Sequence, residues 1–212
     1  MNLILLGAPG AGKGTQAVKI SEKYQIPAIA TGDILRAELK AGTELGNQAK
    51  SYLALGQLVP DSVVIGIIKK YLKGNNCENG FILDGFPRSI PQAEALEAMG
   101  IHLDAVLSLE VPDQTIVERM SGRRVCSCGS SYHIVYNPPI KEGVCDRCGE
   151  ALYVRADDAA ETVQKRLETF HRETEPLKAF YAERDLLLTV EGQNEVAATT
   201  ELVFQALKTV EA

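Results

Sequence analysis

The first fifteen residues join a short apolar run to a glycine-rich loop that ends in a lysine. The apolar run covers residues 3–6, and Gly7, Gly12 and Lys13 follow it before a helical pattern begins. Glycines let the backbone turn tightly around an anion, while the lysine and the first amides of the helix supply positive charge. This is the P-loop pattern with its flanking strand and helix. It predicts a phosphate-binding loop on an α/β sheet.

The size and charge of the chain narrow the class of protein. Its 212 residues, 45% hydrophobic and 24% charged, favour one core of ordinary size with inserted lobes. The net charge of −6 argues against a protein that grips long nucleic acid. No apolar run approaches the roughly eighteen residues of a membrane span, and the first predicted strand leaves no room for a signal peptide. The expected location is therefore cytoplasmic.

Short apolar runs alternate with helical patterns along most of the chain. Such alternation is typical of a parallel sheet that is covered by helices on both faces. Four further strands are predicted, at residues 26–31, 80–84, 105–111 and 186–191. Helices are predicted at residues 13–24, 62–73, 113–120, 159–170 and 195–210. Asp61 is a candidate N-cap for the second helix, and the fourth is expected to kink or break before Pro176.

Two stretches depart from this rhythm. Residues 32–60 contain two helical patterns, 33–40 and 44–55, with no strand between them. Residues 122–158 have no helical period and hold most of the cysteines. Both stretches are interpreted as lobes inserted at the ends of core elements, where ligands bind in sheets of this kind.

Charged residues cluster around the same predicted edge of the sheet. Asp84 ends the third predicted strand, and Arg88 follows four residues later. A carboxylate in this place holds magnesium beside nucleotide phosphates in P-loop enzymes. Arginines at predicted helix starts or lobe borders could stabilise a bound polyphosphate, since planar guanidinium groups match phosphate oxygens. They are Arg36, Arg88, Arg119, Arg123, Arg155 and Arg166.

Ordered motifs along the chain carry a resemblance to a known family. They are Gly7-Ala-Pro-Gly-Ala-Gly-Lys-Gly-Thr15, Thr31-Gly-Asp-Ile-Leu-Arg36, Gly56-Gln-Leu-Val-Pro60, Asp84-Gly-Phe-Pro-Arg88 with Gln92, Glu118-Arg119 with Gly122-Arg-Arg124, Tyr132-His133 with Asn137-Pro-Pro139, Arg155-Ala-Asp-Asp158, and Arg166. On these motifs the chain resembles the adenylate kinase family over nearly its full length. Gly14 separates Lys13 from Thr15, whereas Ser or Thr follows the lysine directly in the commoner P-loop. The separated form is this family's own pattern.

The resemblance implies a fold and a reaction. The implied fold is a P-loop three-layer sandwich on a five-stranded parallel sheet. Residues 1–29, 60–121 and 159–212 would form its core, residues 30–59 an AMP-binding lobe and residues 122–158 a lid lobe. The implied reaction is ATP + AMP ⇌ 2 ADP with Mg²⁺. Its partners would be ATP, AMP and ADP, with neither nucleic acid nor membrane. The implied state is a monomer, with a small homo-oligomer as the alternative.

The resemblance also implies roles for individual residues. ATP would be held by Gly10, Ala11, Gly12, Lys13, Gly14, Thr15, Arg119, Arg123, Ser131, Tyr132 and Asn194. AMP would be held by Thr31, Arg36, Gln57, Leu58, Val59, Gly85, Phe86, Pro87, Arg88, Gln92, Arg155 and Arg166. The catalytic set would be Lys13, Arg88, Arg123, Arg155, Arg166, Asp157 and Asp158. Asp84 and Asp33 would orient Mg²⁺ through water.

The cysteines predict a metal site in the lid lobe. The clustered residues are Cys126, Cys128, Cys145 and Cys148. The second pair, followed by Gly149, has the form of a zinc knuckle. The first pair is one residue closer than in metal-bearing members of the family, and Cys126 is the displaced residue. Structural Zn²⁺ on four thiolates is expected. Three thiolates with His133, or free thiols or a disulfide, are the alternatives, and Cys77 stands alone.

Three other functions compete with this reading. Another nucleoside monophosphate kinase, for CMP, UMP or GMP, is disfavoured by Thr31, by residues 57–59 and by the long cysteine lobe. A P-loop switch would need a guanine-reading Asn-Lys-x-Asp segment, which the sequence lacks. A zinc-ribbon nucleic-acid binder would need a basic lobe, but acidic residues equal basic ones within residues 122–158.

Overall fold

The computed structural model describes residues 1–74 and 77–210. In chain order its strands are β1 (Asn2–Gly7), β2 (Ala28–Ala30), β3 (Phe81–Asp84), β4 (Ala105–Glu110), β5 (Arg123–Val125), β6 (Ser131–His133) and β7 (Leu187–Glu191). Its α-helices are α1 (Lys13–Tyr24), α2 (Thr31–Ala41), α3 (Glu44–Ala54), α4 (Asp61–Gly74), α5 (Ile90–Glu97), α6 (Asp113–Gly122), α7 (Ala160–Thr169), α8 (Leu177–Ala182) and α9 (Val196–Leu207). The last two residues of the predicted core segment 159–212 lie outside the described residues.

Five of the strands form one parallel sheet in the order β2-β3-β1-β4-β7. β1 lies at the centre, where Leu3 pairs with Ile82 of β3 on one side and with Ala105 of β4 on the other. A central strand of a parallel sheet is buried on both faces, so its sequence is apolar at successive positions. The predicted α/β class and the five-stranded parallel sheet are confirmed.

Two apolar clusters cover the two faces of this sheet. Leu3 and Leu5 of β1 lie in one cluster with side chains from α1, α6, α7 and α9. Ile4 and Leu6 lie in the other, with side chains from α2, α3, α4, α5 and α8. Successive side chains of a strand point to opposite faces, which produces three layers. Within the described ranges, no helix combines the length and the apolar character needed to cross a membrane.

The elements differ from the sequence prediction in some details. The strand predicted at residues 26–31 covers only Ala28–Ala30, and Thr31 begins α2. The predicted kink before Pro176 is a π-helical turn, Phe170–Thr174, between α7 and α8. Helices α5 and α8 are not predicted by the sequence. They contain 8 and 6 residues, which is too short for a helical period to stand out.

Residues 122–158, called the cysteine segment below, are built differently from the core. β5 and β6 pair antiparallel, and single bridges join Val125 to Tyr153 and Val144 to Ala151. A short 3₁₀ helix, Ala156–Asp158, ends the segment. No α-helix lies between β5 and this 3₁₀ helix, as the lack of a helical period predicts.

Candidate active site

The glycine-rich loop lies between β1 and α1 at the carboxyl edge of the sheet. Gly7 has a φ angle of 136°, and Gly12, directly before α1, has a φ angle of 101°. A Cβ atom at Gly7 would come within 2.6 Å of the Leu109 carbonyl oxygen, so no side chain fits there. The loop therefore runs close against β4 and enters α1 at Lys13, where free helix amides favour an anion.

The side chain of Lys13 folds over this loop. Its Nζ donates to the carbonyl oxygens of Gly7, at 2.6 Å, and of Ala8, at 2.9 Å. Burial lowers the pKa of Lys13 to about 8, although the Asp84 carboxylate opposes the shift. An anion in the loop would favour the charged form of this lysine, because an opposite charge close by raises a lysine pKa.

Asp84 ends β3 beside the loop, as predicted. Its Oδ2 lies 3.4 Å from where a Cβ atom on Gly14 would be, so the carboxylate packs against the loop. Burial raises the pKa of Asp84, while Lys13 and Arg88 oppose the rise. A divalent cation would offset the cost of burying this carboxylate by adding positive charge next to it. The site therefore suits the predicted Mg²⁺.

The loop that follows β3 reaches the same edge of the sheet. Arg88 Nε and Thr31 Oγ1 both donate to the Gly85 carbonyl oxygen, each at 2.8 Å. On the other side, Thr174 Oγ1 donates to the Arg88 carbonyl oxygen at 2.8 Å. Sequence reasoning missed Thr174, because a threonine between the predicted helix 159–170 and Pro176 carries no local signal of such a contact. These bonds fix the guanidinium of Arg88 over the loop.

Gln92 holds the same loop from beneath. Its Oε1 accepts from the Arg88 backbone N–H at 2.8 Å, and its Nε2 donates to Asp61 Oδ1 at 2.6 Å. Ser89 Oγ also donates to Asp61 Oδ1, at 3.0 Å. Asp61, predicted as an N-cap, is the first residue of α4 and supports this loop instead. Both ends of the Gln92 amide are thus engaged within the protein, and its predicted contact with AMP stays a prediction.

Arginines from the cysteine segment and α7 meet two aspartates. Arg123 Nε lies 2.8 Å from Asp158 Oδ2, and a second, shorter contact joins the same pair. Arg166 NH1 lies 3.3 Å from Asp158 Oδ1 and 3.0 Å from Asp157 Oδ2. Asp158 is buried, so it orients two guanidinium groups from behind. Arg166 lies in the last turn of α7, within the helix predicted at residues 159–170.

A further bridge joins the cysteine segment to α2. Arg155 NH2 lies 3.1 Å from Asp33 Oδ1, although the two residues are 122 positions apart. Asp33 also forms a salt bridge with Arg36. Its carboxylate is therefore engaged by two arginines in this structure, and its predicted role toward Mg²⁺ stays a prediction.

The electrostatics favour a polyanionic ligand. Burial lowers the pKa of Arg166 to about 10, although Asp157 opposes the shift. Burial alone would raise the pKa of Asp157, but Arg166, Arg36 and Arg155 outweigh it and hold the pKa below its usual range. After burial, the nearby Arg123 and Arg88 also lower the pKa of Arg166, because like charges close by disfavour its charged form. A polyphosphate would relieve this repulsion.

One cavity of about 900 Å³ connects most of these groups. Of the residues predicted for the nucleotide, magnesium and catalytic sites, all except Phe86 and Asp158 line it. Phe86 is fully buried under the loop after β3. At the far end of the cavity, Arg119 donates to the Gln193 carbonyl oxygen at 2.8 Å, next to Asn194. The volume is near the upper end for small-molecule sites, which is about 1,000 Å³.

The four cysteines form a separate cluster. Their Sγ atoms all lie within 4.8 Å of one another, with Cys126 to Cys148 at 3.3 Å and Cys128 to Cys145 at 3.6 Å. Tetrahedral zinc with Zn–S bonds of about 2.3 Å would separate the sulfurs by about 3.8 Å, so the residues present fit such an ion. Cys126 is buried, and its Sγ lies within the cluster despite the compressed spacing of the first pair.

The alternative ligand arrangements fit less well. His133 Nδ1 accepts from the backbone N–H groups of Val135 and Tyr136, and its ring packs on the Tyr136 ring at 4.6 Å. It is not part of the described cysteine cluster. No disulfide joins the four cysteines of the cluster, since the Cys126 and Cys148 sulfurs, at 3.3 Å, lie well beyond the roughly 2.05 Å of a disulfide bond.

Comparison with known proteins agrees with this geometry. The family model described as adenylate kinase matches residues 5–186. The chain belongs to the adenylate kinase family. A protein of Caldicellulosiruptor saccharolyticus named adenylate kinase is 58% identical over 212 residues, which cover 98% of this chain and 99% of that protein. Another with that name, from Methanosarcina acetivorans, is 54% identical over 214 residues, covering 99% and 98%.

A third relative is similar to the same degree. The protein of Acetivibrio thermocellus named adenylate kinase is 54% identical over 215 residues, covering 99% of each chain. Full-length identity above half, together with the family match, places this chain among the nucleoside monophosphate kinases, which are phosphotransferases.

Proposed function

We propose that the chain catalyses the reversible reaction ATP + AMP ⇌ 2 ADP with Mg²⁺, and so balances the adenine nucleotides of the cell. The observation that carries the proposal is that the glycine-rich loop and the Arg88 loop line one cavity. A P-loop alone would serve any nucleoside triphosphatase. A second basic loop beside it provides a place for an acceptor that carries its own phosphate.

ATP is proposed to occupy the side of the cavity between the glycine-rich loop and β6. Residues 10–15 would surround its phosphates, and Lys13 would exchange its carbonyl partners for the β- and γ-phosphates. The adenine would lie near Arg119, Ser131, Tyr132 and Asn194, which line the far end of the cavity. The hydrogen bond from Arg119 to the Gln193 carbonyl supports this placement, because it fixes the plane of the guanidinium.

AMP is proposed to occupy the side formed by α2 and the Arg88 loop. Arg36 and Arg88 would bind its phosphate, with Thr31 and residues 57–59 around the nucleoside. Thr31, Gly85 and Arg88 are already joined by hydrogen bonds, which supports a preformed acceptor pocket. Preformed hydrogen bonds reduce the ordering that AMP binding would require.

The proposed chemistry needs positioning and charge stabilisation rather than a general base. An oxygen of the AMP phosphate forms a bond to the γ-phosphorus of ATP while the bond from that phosphorus to the bridging β–γ oxygen breaks. Each nucleotide then leaves as ADP. Charge spreads over the equatorial oxygens in the loose transition state, where Lys13, Arg88, Arg123, Arg155 and Arg166 would stabilise it. Asp157 and Asp158 would hold Arg123 and Arg166 in place.

Metal chemistry is proposed at two places. When bound with ATP, Mg²⁺ would neutralise charge between the β- and γ-phosphates, and Asp84 would orient it through water. The carboxylate's contact with the glycine-rich loop supports this role. In the cysteine segment, four thiolates would bind one Zn²⁺ with no open coordination position, which is typical of a structural ion.

The two inserted regions are proposed to act as mobile lobes. Residues 30–59 would close over AMP and residues 122–158 over ATP, around a core of residues 1–29, 60–121 and 159–212. Closure would exclude water, which could otherwise take the phosphoryl group. The contact of Gly56 with Arg166 and the bridge between Arg155 and Asp33 support lobes that reach across the cavity. A cytoplasmic monomer is the proposed state.

A coupled assay with a panel of nucleoside monophosphates tests the proposal. The value of kcat/KM for AMP should exceed the values for CMP, UMP and GMP by orders of magnitude, because a pocket shaped for one base leaves its polar groups unpaired with another. Comparable values for UMP or CMP would assign the chain to another acceptor.

A further inference from the structure

One tyrosine joins the cysteine cluster to the nucleotide cavity. The phenol oxygen of Tyr132 lies 3.5 Å from Cys145 Sγ and 2.9 Å from the backbone nitrogen of Asp146. Tyr132 also lines the cavity proposed to bind ATP. The same side chain therefore contacts a predicted metal ligand and the wall of the donor pocket.

The direction of these hydrogen bonds follows from their partners. The Asp146 nitrogen can only donate, so the phenol oxygen accepts from it. The phenol's own proton is then free to point at Cys145 Sγ, which would be a thiolate on a bound metal. Hydrogen bonds to metal-bound ligands orient them and typically change metal affinity by about 10- to 100-fold.

The backbone of Tyr132 extends the connection toward the reacting groups. β6 pairs with β5 in a register that sets Tyr132 opposite Arg124 and His133 opposite Arg123. Arg123 in turn contacts Asp158 at the cavity. The knuckle, residues 145–148, also contributes Arg147 to the lining of the same cavity. Movement of the knuckle would therefore displace β6 and a part of the donor pocket together.

We propose that Tyr132 is a positioning residue that couples the metal knuckle to the donor-nucleotide pocket, so that Zn²⁺ and ATP each strengthen the binding of the other. The inference rests on the proposed function, because it places ATP against β6. Coupling between two sites is reciprocal by thermodynamic necessity. The metal thus contributes to donor binding in addition to the stability of the cysteine segment.

Metal release from the full chain measures this coupling. The protein is loaded with Zn²⁺, and an excess of a chromophoric chelator then reports the rate of zinc loss with no nucleotide, with saturating ATP or with saturating AMP. ATP should slow zinc loss by about 5-fold or more, a typical coupling between sites. AMP should leave the rate unchanged, because the acceptor pocket does not contain β6.

Two phenylalanine variants separate coupling from general stability. Tyr132→Phe keeps the ring but removes the phenol, so zinc loss should become faster and protection by ATP should disappear. The KM for ATP should rise while the KM for AMP stays constant. Tyr153→Phe is the matched control, since it removes a phenol from the same segment, where Tyr153 is 49% exposed and its hydroxyl has no hydrogen bond to a described residue. It should behave like the parent chain.

The outcomes distinguish failure of the inference from failure of the proposed function. ATP that binds the parent chain without slowing zinc loss would overturn the coupling alone. If ATP slows zinc loss from metal-loaded Tyr132→Phe as strongly as from the parent chain, the proposed role of Tyr132 is wrong. If titration calorimetry finds no ATP binding to the parent chain, the proposed function falls and the inference falls with it. A chain that binds no Zn²⁺ would also overturn the inference.

Discussion

The sheet core and the cysteine segment are held together by different interactions. In the core, all the side chains of residues 3–6 are buried between two layers of helices. In the cysteine segment the buried apolar side chains are Val125, Cys126 and Cys145, whereas Ile140 is 94% exposed. Burial of apolar area stabilises the core at about 25 cal/mol per Å². The segment has too little such area, so the metal proposed for its cysteine cluster, together with its hydrogen bonds, would have to stabilise it.

The difference bears on how the two regions serve the site. The core fixes the glycine-rich loop and Asp84 on a rigid sheet edge. The cysteine segment carries Arg123 and Arg155, which meet carboxylates that lie outside its own strands. A region with a small core can open at little cost in free energy. Under the proposed function, its arginines would approach a bound nucleotide without disturbing the loop.

The largest expected effect concerns Arg123, at the start of the cysteine segment. Arg123→Ala should lower kcat by about 10²-fold or more, because it removes charge stabilisation from the transition state. Within residues 1–74 and 77–210, the neighbouring Arg124 donates only to the backbone carbonyls of Ser121 and Arg123, so Arg124→Ala is the matched control. A steady-state assay measures both. Equal losses in the two variants would remove Arg123 from the catalytic set.

The next effect concerns the core. Leu107 of β4 is fully buried, and Leu107→Ala should lower the free energy of unfolding by about 2–5 kcal/mol, through lost apolar burial and the cavity that remains. Ile140→Ala, in the cysteine segment, should change it by less than about 0.5 kcal/mol. Urea unfolding followed by circular dichroism measures both values. Similar losses would contradict the contrast between the regions.

Removing a thiolate should affect the cysteine segment first. Cys145 is buried in the cluster, so Cys145→Ser should reduce bound metal and speed hydrogen exchange in residues 122–158, while the sheet keeps its protection. Cys77→Ser, outside the cluster, is the control. Metal analysis with hydrogen exchange provides the measurement. Full metal content in Cys145→Ser would argue against a four-thiolate site.

The smallest effect is a pH dependence within the core. Hydrogen bonds with Glu175 and Asp113 raise the pKa of His171. The contribution of His171 to the free energy of unfolding is therefore complete below the unfolded pKa of about 6.5. It is lost as the pH rises through the higher pKa of the folded state. Because His171 is well exposed, solvent screening limits this contribution to about 1 kcal/mol or less.

Thermal melting over this pH range measures the His171 effect. His171→Ala should flatten the fall in melting temperature above about pH 6.5, because the titrating group is gone. His102→Ala, at a histidine whose side chain is 88% exposed, is the control and should keep the parent profile. If the melting temperature falls equally steeply with pH in His171→Ala and in the parent, His171 is not the source of the pH dependence.

Much of the fold follows from local patterns in the sequence. The run at residues 3–6 predicts a strand because a sheet buried on both faces needs successive apolar residues, and Gly12 and Lys13 place the loop and the start of α1. Local patterns do not predict helix α5, since it begins at Ile90-Pro91 and spans only 8 residues. They also do not predict the helical conformation of Thr31. The apolar strand pattern runs up to this residue, but α2 begins there.

The residues of the candidate site are largely predictable by type and resemblance, but their partners are not. Gln92 is predicted to contact AMP, yet the structure shows its amide between Arg88 and Asp61. The four cysteines are predicted as a cluster, but only the structure shows that the compressed Cys126 and Cys128 pair brings all four sulfurs within 4.8 Å of one another. Such details depend on side-chain geometry, which spacing along the chain does not specify.

By itself, the sequence determined the glycine-rich loop, the α/β alternation and the cysteine cluster, because each depends on residues close together in the chain. Only the tertiary structure decided that Arg155 meets Asp33 and that Tyr132 meets Cys145. The motifs single out Arg155 and Tyr132, but nothing in them indicates that Asp33 and Cys145 are their partners. The folded path of the chain brings each of these side chains next to its partner. Such contacts depend on tertiary structure because the attraction acts only at distances of a few ångströms.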